Sequence, residues 1–187
     1  MIVKLFTFWF KWKGWKIEGN IPYGLKKGVV IGAPHTSNWD FVYALAALHL
    51  MGIQLNYLAK KQLFRWPLSL LLRRTGGIAV DRSKNHNLVE AITRLFSEHD
   101  KLIMLFPAEG TRSPVSKWKT GFYYVALQAK VPVYMAYLDY EKRTAGIGAE
   151  LHVTGDIEKD FSLIREFYST KSPRIEKNFN REGIKPH

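Results

Sequence analysis

The chain is 187 residues long, 47% hydrophobic and 14% aromatic, enough for one well-buried core and too short for two. It has no cysteine, which excludes disulfides, thiolate nucleophiles and thiolate metal sites. A formal charge of +12 points to an anionic partner: phosphates, an anionic membrane, nucleic acid or an acidic protein.

The opening segment, MIVKLFTFWFKWKGWK, reads as a helix over residues 2 to 12. Lys4, Thr7 and Lys11 fall on one narrow polar stripe, and Ile2, Val3, Leu5, Phe6, Phe8, Trp9, Phe10 and Trp12 cover the remainder. Its uncharged stretch, residues 5 to 10, is too short to span a bilayer, whereas tryptophans and lysines together suit a helix lying at the lipid interface. Packing onto the domain core is the alternative. No secretory signal fits, because Lys11 and Lys13 interrupt the apolar run and no small-residue cleavage site follows.

WKIEG and GVVIGA then read as strands. Residues 41 to 59 contain no Asp, Glu, Lys or Arg and approach the roughly 20 residues of a membrane span. Gly52, Gln54 and Asn56 divide the stretch instead into a buried helix over about 40 to 51 and a strand over about 53 to 59. PLSLLLRR follows as a short helix and GIAV as a short strand. In NHNLVEAITRLF, residues 88, 91, 92, 95 and 96 share one helical face, with Glu90 and Arg94 four apart on another. KLIMLF and VPVYMAYL read as buried strands around the helix GFYYVALQA, AELHVTG as a further strand, and FSLIREFY as a last helix. The tail from Pro173 is polar and basic and is expected to be loosely held. Strands alternating with helices predict an α/β single-domain sandwich. Its central sheet is largely parallel or mixed and flanked by helices, and an amphipathic N-terminal helix precedes it.

In such sheets, functional residues gather in the loops leaving the strands. The loop after GVVIGA holds His35, Thr36, Ser37, Asn38, Trp39 and Asp40. Two other loops place Arg82 and Arg112 just beyond apolar strands, where guanidinium forks suit a phosphate clamp. Plainer alternatives are a surface pair between Asp81 and Arg82 and a turn-stabilising ion pair between Glu109 and Arg112. His49, His86, His99, His152 and His187 are scattered without ligand spacing, so no metal site is indicated. Most aromatic residues lie inside apolar elements rather than among bases, which argues against nucleic acid as the partner.

Four ordered blocks carry a resemblance. The first is His35 to Asp40, a histidine and an aspartate separated by four residues including Ser37. The second runs from Lys61 through QLFRWPLSLLLRRTGGIAVDR, the third is Glu109, Gly110, Thr111, Arg112 and Ser113, and the fourth centres on Val131, Pro132 and Val133. Over about residues 18 to 138 the chain resembles the glycerophospholipid acyltransferases of the lysophosphatidate acyltransferase type. It departs from them at Pro34, where asparagine is common, and at Ala108, where proline is usual.

The resemblance implies direct transfer of a fatty acyl chain, from acyl-CoA or acyl carrier protein as cosubstrate, to the free hydroxyl of a lysophospholipid, foremost 1-acylglycerol 3-phosphate. No acyl-enzyme and no cofactor are implied. A different lysolipid such as a lyso-aminolipid, or a thioesterase or lipid hydrolase activity, is the alternative; a basic membrane- or nucleic-acid-binding module is the more distant one. An imidazole with a pKa near neutrality suits removal of the hydroxyl proton, which makes His35 the expected base. Asp40 is expected to fix its tautomer and stabilise the imidazolium. Ser37, Lys61, Glu109, Gly110 and Thr111 join Arg82 and Arg112 as expected substrate contacts. The corresponding organisation is an interfacial segment over 1 to 16, an acyltransferase domain over 17 to 172 and a basic tail over 173 to 187. Such a protein would sit peripherally on an anionic membrane surface, at its cytoplasmic face.

Overall fold

The structure, a computed structural model, describes residues 2–19, 24–80 and 88–187. Its centre is β2 (Lys27–Ala33), in which Val29, Val30 and Ile31 are all fully buried. An apolar run without alternation suits a strand covered on both faces. Val29 and Ile31 face one cluster with Phe122, Val125, Phe161 and Ile164, while Val30 faces a second with Leu55, Ile103 and Ile147.

The sheet formed by the described residues has seven strands in the order β1-β7-β6-β2-β5-β3-β4. β3 (Asn56–Lys60), β4 (Gly77–Val80), β5 (Leu102–Pro107) and β6 (Val133–Asp139) all run parallel to β2. β7 (Thr144–Leu151) is antiparallel to β6 and parallel to β1 (Lys16–Gly19). The sheet is therefore mixed and mostly parallel, as predicted. On one face lie α1 (Ile2–Trp12) and α2 (Trp39–Leu50); on the other lie α4 (Leu88–Glu98), α5 (Gly121–Ala129) and α6 (Ile157–Ser169). α3 (Leu68–Arg74) links β3 to β4. Among the described residues, no helix is long and apolar enough to cross a membrane.

The long apolar stretch divides at Gly52. Its φ of +68° ends α2, and N–H groups of Gly52 and Ile53 donate to the carbonyls of His49 and Leu48 at 3.2 and 3.0 Å. α1 shares the core through Phe10, which is 1% exposed and packs with Trp15 and Tyr43. Its other side leaves Leu5, Phe8 and Trp12 62%, 67% and 63% exposed.

Two expectations need correction. The last strand is Thr144–Leu151, not AELHVTG. The strand begins five residues earlier and includes Gly146, whose missing Cβ leaves room for β1: a Cβ there would meet the Glu18 carbonyl at 1.7 Å. The C-terminal segment is also not loosely held. Phe179 and Ile184 are 7% and 0% exposed, and Trp118 N–H donates to the Lys185 carbonyl at 2.9 Å. Its many charged residues conceal two apolar anchors from a reading of composition. If those anchors are structural, Ile184→Ala should cost about 2–5 kcal/mol of unfolding free energy, seen as a lowered urea midpoint at unchanged slope. A midpoint within error of the parent would contradict the packing.

Candidate active site

The carboxyl ends of the five parallel strands lie along one edge of the sheet, and the predicted residues follow those ends. β2 stops at Ala33, and the chain turns into α2 within five residues. Asp40, in the first turn of that helix, is 3% exposed. Its Oδ2 accepts the backbone N–H groups of Thr36 and Ser37, both at 2.7 Å, and its Oδ1 accepts the Tyr140 hydroxyl at 2.6 Å. The carboxylate thus reaches back over the turn that precedes its own helix, satisfying N–H groups that would otherwise be orphaned. Nδ1 of His35 lies 3.3 Å from the same Oδ2. With Nδ1 facing the carboxylate, Nε2 is the nitrogen left to exchange a proton with a substrate.

A second carboxyl group holds the histidine from below. Glu109, just beyond β5, is 4% exposed, and its Oε2 and Oε1 accept the His35 backbone N–H at 2.8 and 3.2 Å. Burial pushes the Glu109 carboxyl up to about 8, against the lowering effect of the His35 N–H, and the nearby Asp40 charge raises it further. Burial and the Asp40 carboxylate likewise push the Tyr140 phenol well above its usual range. Beneath them, the fully buried Tyr168 hydroxyl donates to the carbonyls of Ile31 and Ala136 at 2.8 and 2.9 Å, tying β2 to β6. The C-terminal segment closes the other side: Ile175 N–H donates to Thr36 Oγ1, and Asn178 Nδ2 to the Thr36 carbonyl, both at 3.2 Å.

His35 and Asp40 open onto a cavity of about 580 Å³. Ala44, Leu48, Leu55, Leu58, Leu105 and Ile147 give it a largely apolar wall, and Arg73 and Arg74 lie on its border. Such a volume with few convergent polar groups is typical of a small-molecule site.

The structure brings His35, Asp40 and Glu109 into one hydrogen-bonded unit. Gly110, Thr111 and Arg112 follow Glu109 in the same loop and are exposed; Gly110 has φ +72° and donates its N–H to the Pro107 carbonyl at 3.0 Å. Among the described residues, no ion pair joins Glu109 to Arg112. Ser37 is half-buried and its Oγ accepts the Trp39 N–H at 3.2 Å. Lys61 is exposed in the short turn of helix after β3. Asp81 and Arg82 lie outside the described residues. Sequence reasoning missed Tyr140 and Tyr168 as site residues. The available signal for Tyr140 was its position two residues after the apolar run VPVYMAYL, at the carboxyl end of a parallel strand.

Three similarities place these observations. The family model described as Acyltransferase matches residues 15–138. The 1-acyl-sn-glycerol-3-phosphate acyltransferase of Haemophilus influenzae is 32% identical over 130 residues, covering 64% of this chain and 52% of that protein. The chain thus spans about half the length of the curated relative it matches. The crystal structure of the 1-acyl-sn-glycerophosphate (LPA) acyltransferase PlsC from Thermotoga maritima superposes with a TM-score of 0.63 at 19% identity, over 89% of this chain and 75% of that one. That likeness is one of fold.

The raised Glu109 carboxyl gives stability a definite pH dependence. The folded chain keeps this proton up to about 8, while an unperturbed carboxyl releases it near 4.5. Between those values the folded state binds more protons, so this residue's contribution to stability falls as pH rises through that window. Glu109→Gln keeps an acceptor for His35 and removes the titration. Its melting temperature should decline less than the parent's between pH 5 and 8; parallel declines would refute the assignment.

Proposed function

Because the chain belongs to the acyltransferase family, we propose that it moves a fatty acyl group from a thioester donor, acyl-CoA or acyl carrier protein, to the free hydroxyl of a lysophospholipid. The acceptor it suits best is 1-acylglycerol 3-phosphate, the substrate class named for its 32%-identical relative. The observation that carries this reading is the junction of the His35–Asp40 pair with an apolar cavity. A base stands where an acyl chain can lie.

Nε2 of His35 takes the acceptor hydroxyl proton as the oxygen attacks the thioester carbonyl. The tetrahedral centre collapses, the C–S bond breaks, and the imidazolium returns the proton to the leaving thiolate. Asp40 fixes the imidazole tautomer and stabilises its cation, as a carboxylate does in a serine-protease triad, but no enzyme nucleophile takes part. Glu109 acts on the His35 backbone, a positioning role. Arg82 and Arg112 take the acceptor phosphate, with Ser37, Lys61, Gly110 and Thr111 supplying further substrate contacts.

The acceptor is reached at the cytoplasmic face of an anionic membrane, where the protein sits peripherally. Leu5, Phe8 and Trp12 of α1 are exposed, as are Trp66 at 87%, Leu63, Leu68 and Leu70 around the start of α3. Val3 of α1 and Arg73 and Arg74 of α3 border the same cavity, so these apolar patches flank the way into it.

His35→Ala should abolish transfer in a folded protein, and Asp40→Asn should slow it by about 10²- to 10⁴-fold, read as acyl chain appearing on the acceptor by mass spectrometry. Near-normal turnover by folded His35→Ala would exclude the mechanism, and thioester consumed at an undiminished rate without acceptor would mark a hydrolase instead. Arg112→Ala should weaken acceptor binding by about 1.5–3 kcal/mol and leave the donor KM nearly unchanged. Equal losses for both substrates would assign Arg112 a structural role.

A further inference from the structure

Behind Tyr140 lies a second recess of about 310 Å³, lined by Trp9, Lys13, Trp39, Tyr140, Arg143 and Arg174 among others. Its lining includes three cations and no carboxylate, and among the described residues none of the three has an ion-pair partner. Aromatic faces and backbone hold them instead. Lys13 Nζ lies 4.7 Å from the Trp9 ring and 4.5 Å from the Trp12 ring, and the Arg174 guanidinium lies 5.4 Å from Trp39 and 5.7 Å from Tyr140. Arg143 Nη1 donates to the Lys13 carbonyl at 3.3 Å. Contact with an aromatic face orients a cation without neutralising it or using up its donors.

The backbone adds a second observation. Arg143 has φ +52°, a left-handed conformation that side chains other than glycine, asparagine and aspartate rarely adopt. The hairpin between β6 and β7 accepts that strain and directs an arginine, not a glycine, towards the recess.

We propose that this recess is a phosphoryl-binding site, in which Lys13, Arg143 and Arg174 surround the anion, while Trp9 and Trp39, stacked on each other at 6.2 Å, hold the cations in place. Guanidinium forks and an ammonium suit phosphoryl oxygens. The phosphoryl group belongs either to a membrane lipid headgroup, since Trp12 of the same helix is 63% exposed, or to a soluble nucleotide. The occupant lies beside the dyad, because Tyr140 both lines the recess and donates to Asp40. The inference deepens the proposed function, whose coenzyme A donor and phosphatidic acid product both carry such a group, but binding at the recess does not require acyl transfer.

The test uses the full chain and two probes: adenosine 3′,5′-bisphosphate by titration calorimetry, and phosphatidylcholine vesicles with and without phosphatidic acid by co-sedimentation. The parent should bind at least one phosphoryl probe. Arg143→Gln with Arg174→Gln should weaken it by about tenfold or more, the scale of one charge-assisted contact. The charge-matched pair Arg94→Gln with Lys101→Gln, on the helix layer across the sheet and at the start of β5, should stay within about twofold. A loss for the nucleotide alone assigns a nucleotide, a loss for vesicles alone assigns a lipid headgroup, and a loss for both assigns the phosphoryl group they share. Circular dichroism checks folding, and Lys13→Gln, with an expected loss of about threefold or more, serves if the double variant does not fold. No binding by the parent, no loss in the recess variants, or an equal loss in the charge-matched pair would overturn the proposal.

Discussion

Asp40 is the constraint from which the site is built. A buried carboxylate costs several kcal/mol unless its oxygens are taken up by donors. Here the donors come from two parts of the chain: the N–H groups of Thr36 and Ser37 with the ring of His35 beside them, and the hydroxyl of Tyr140 a hundred residues away. Satisfying one charge therefore sets the start of α2, the shape of the loop after β2 and the position of the β6 end together. The histidine inherits its orientation from that arrangement.

Glu109 extends the same logic to the next strand. By accepting the His35 N–H it ties the loop after β5 to the loop after β2, and Tyr168 ties β2 to β6 one layer below. The C-terminal segment completes the enclosure through Thr36, anchored by Phe179 and Ile184. Every connection to the dyad is thus made by backbone or by a buried or half-buried side chain, which is the form of support a preorganised base requires. The cavity beside it is walled by α2, β3 and the sheet face, so the rigid unit and the apolar space share their boundary.

α1 serves two faces. Phe10 packs it to Trp15 and Tyr43, while Leu5, Phe8 and Trp12 remain outside. The same helix and the residue after it contribute Trp9 and Lys13 to the recess behind Tyr140. α1 therefore contributes both to an apolar surface and to a cationic recess beside the dyad.

Much of the architecture was legible in the residues. Unbroken apolar runs marked the strands buried on two faces, the spacing in LVEAITRLF marked α4, and Gly52 divided the long apolar stretch into α2 and β3, because these are short-range patterns written in period and backbone freedom. The candidate pair of His35 and Asp40 was legible for the same reason: its members are five residues apart and share one turn. The partners that position the pair were not. Asp40 with Tyr140, the His35 backbone with Glu109, and Thr36 with Ile175 and Asn178 are joined across 100, 74, 139 and 142 residues, and a tyrosine or asparagine in sequence carries no sign of the group it will meet. The last strand was misplaced and the tail underestimated on the same account. What a glycine must make room for, or what an isolated phenylalanine and isoleucine will plug, is decided by which strand or loop arrives beside it, and only the folded sheet brings those neighbours together.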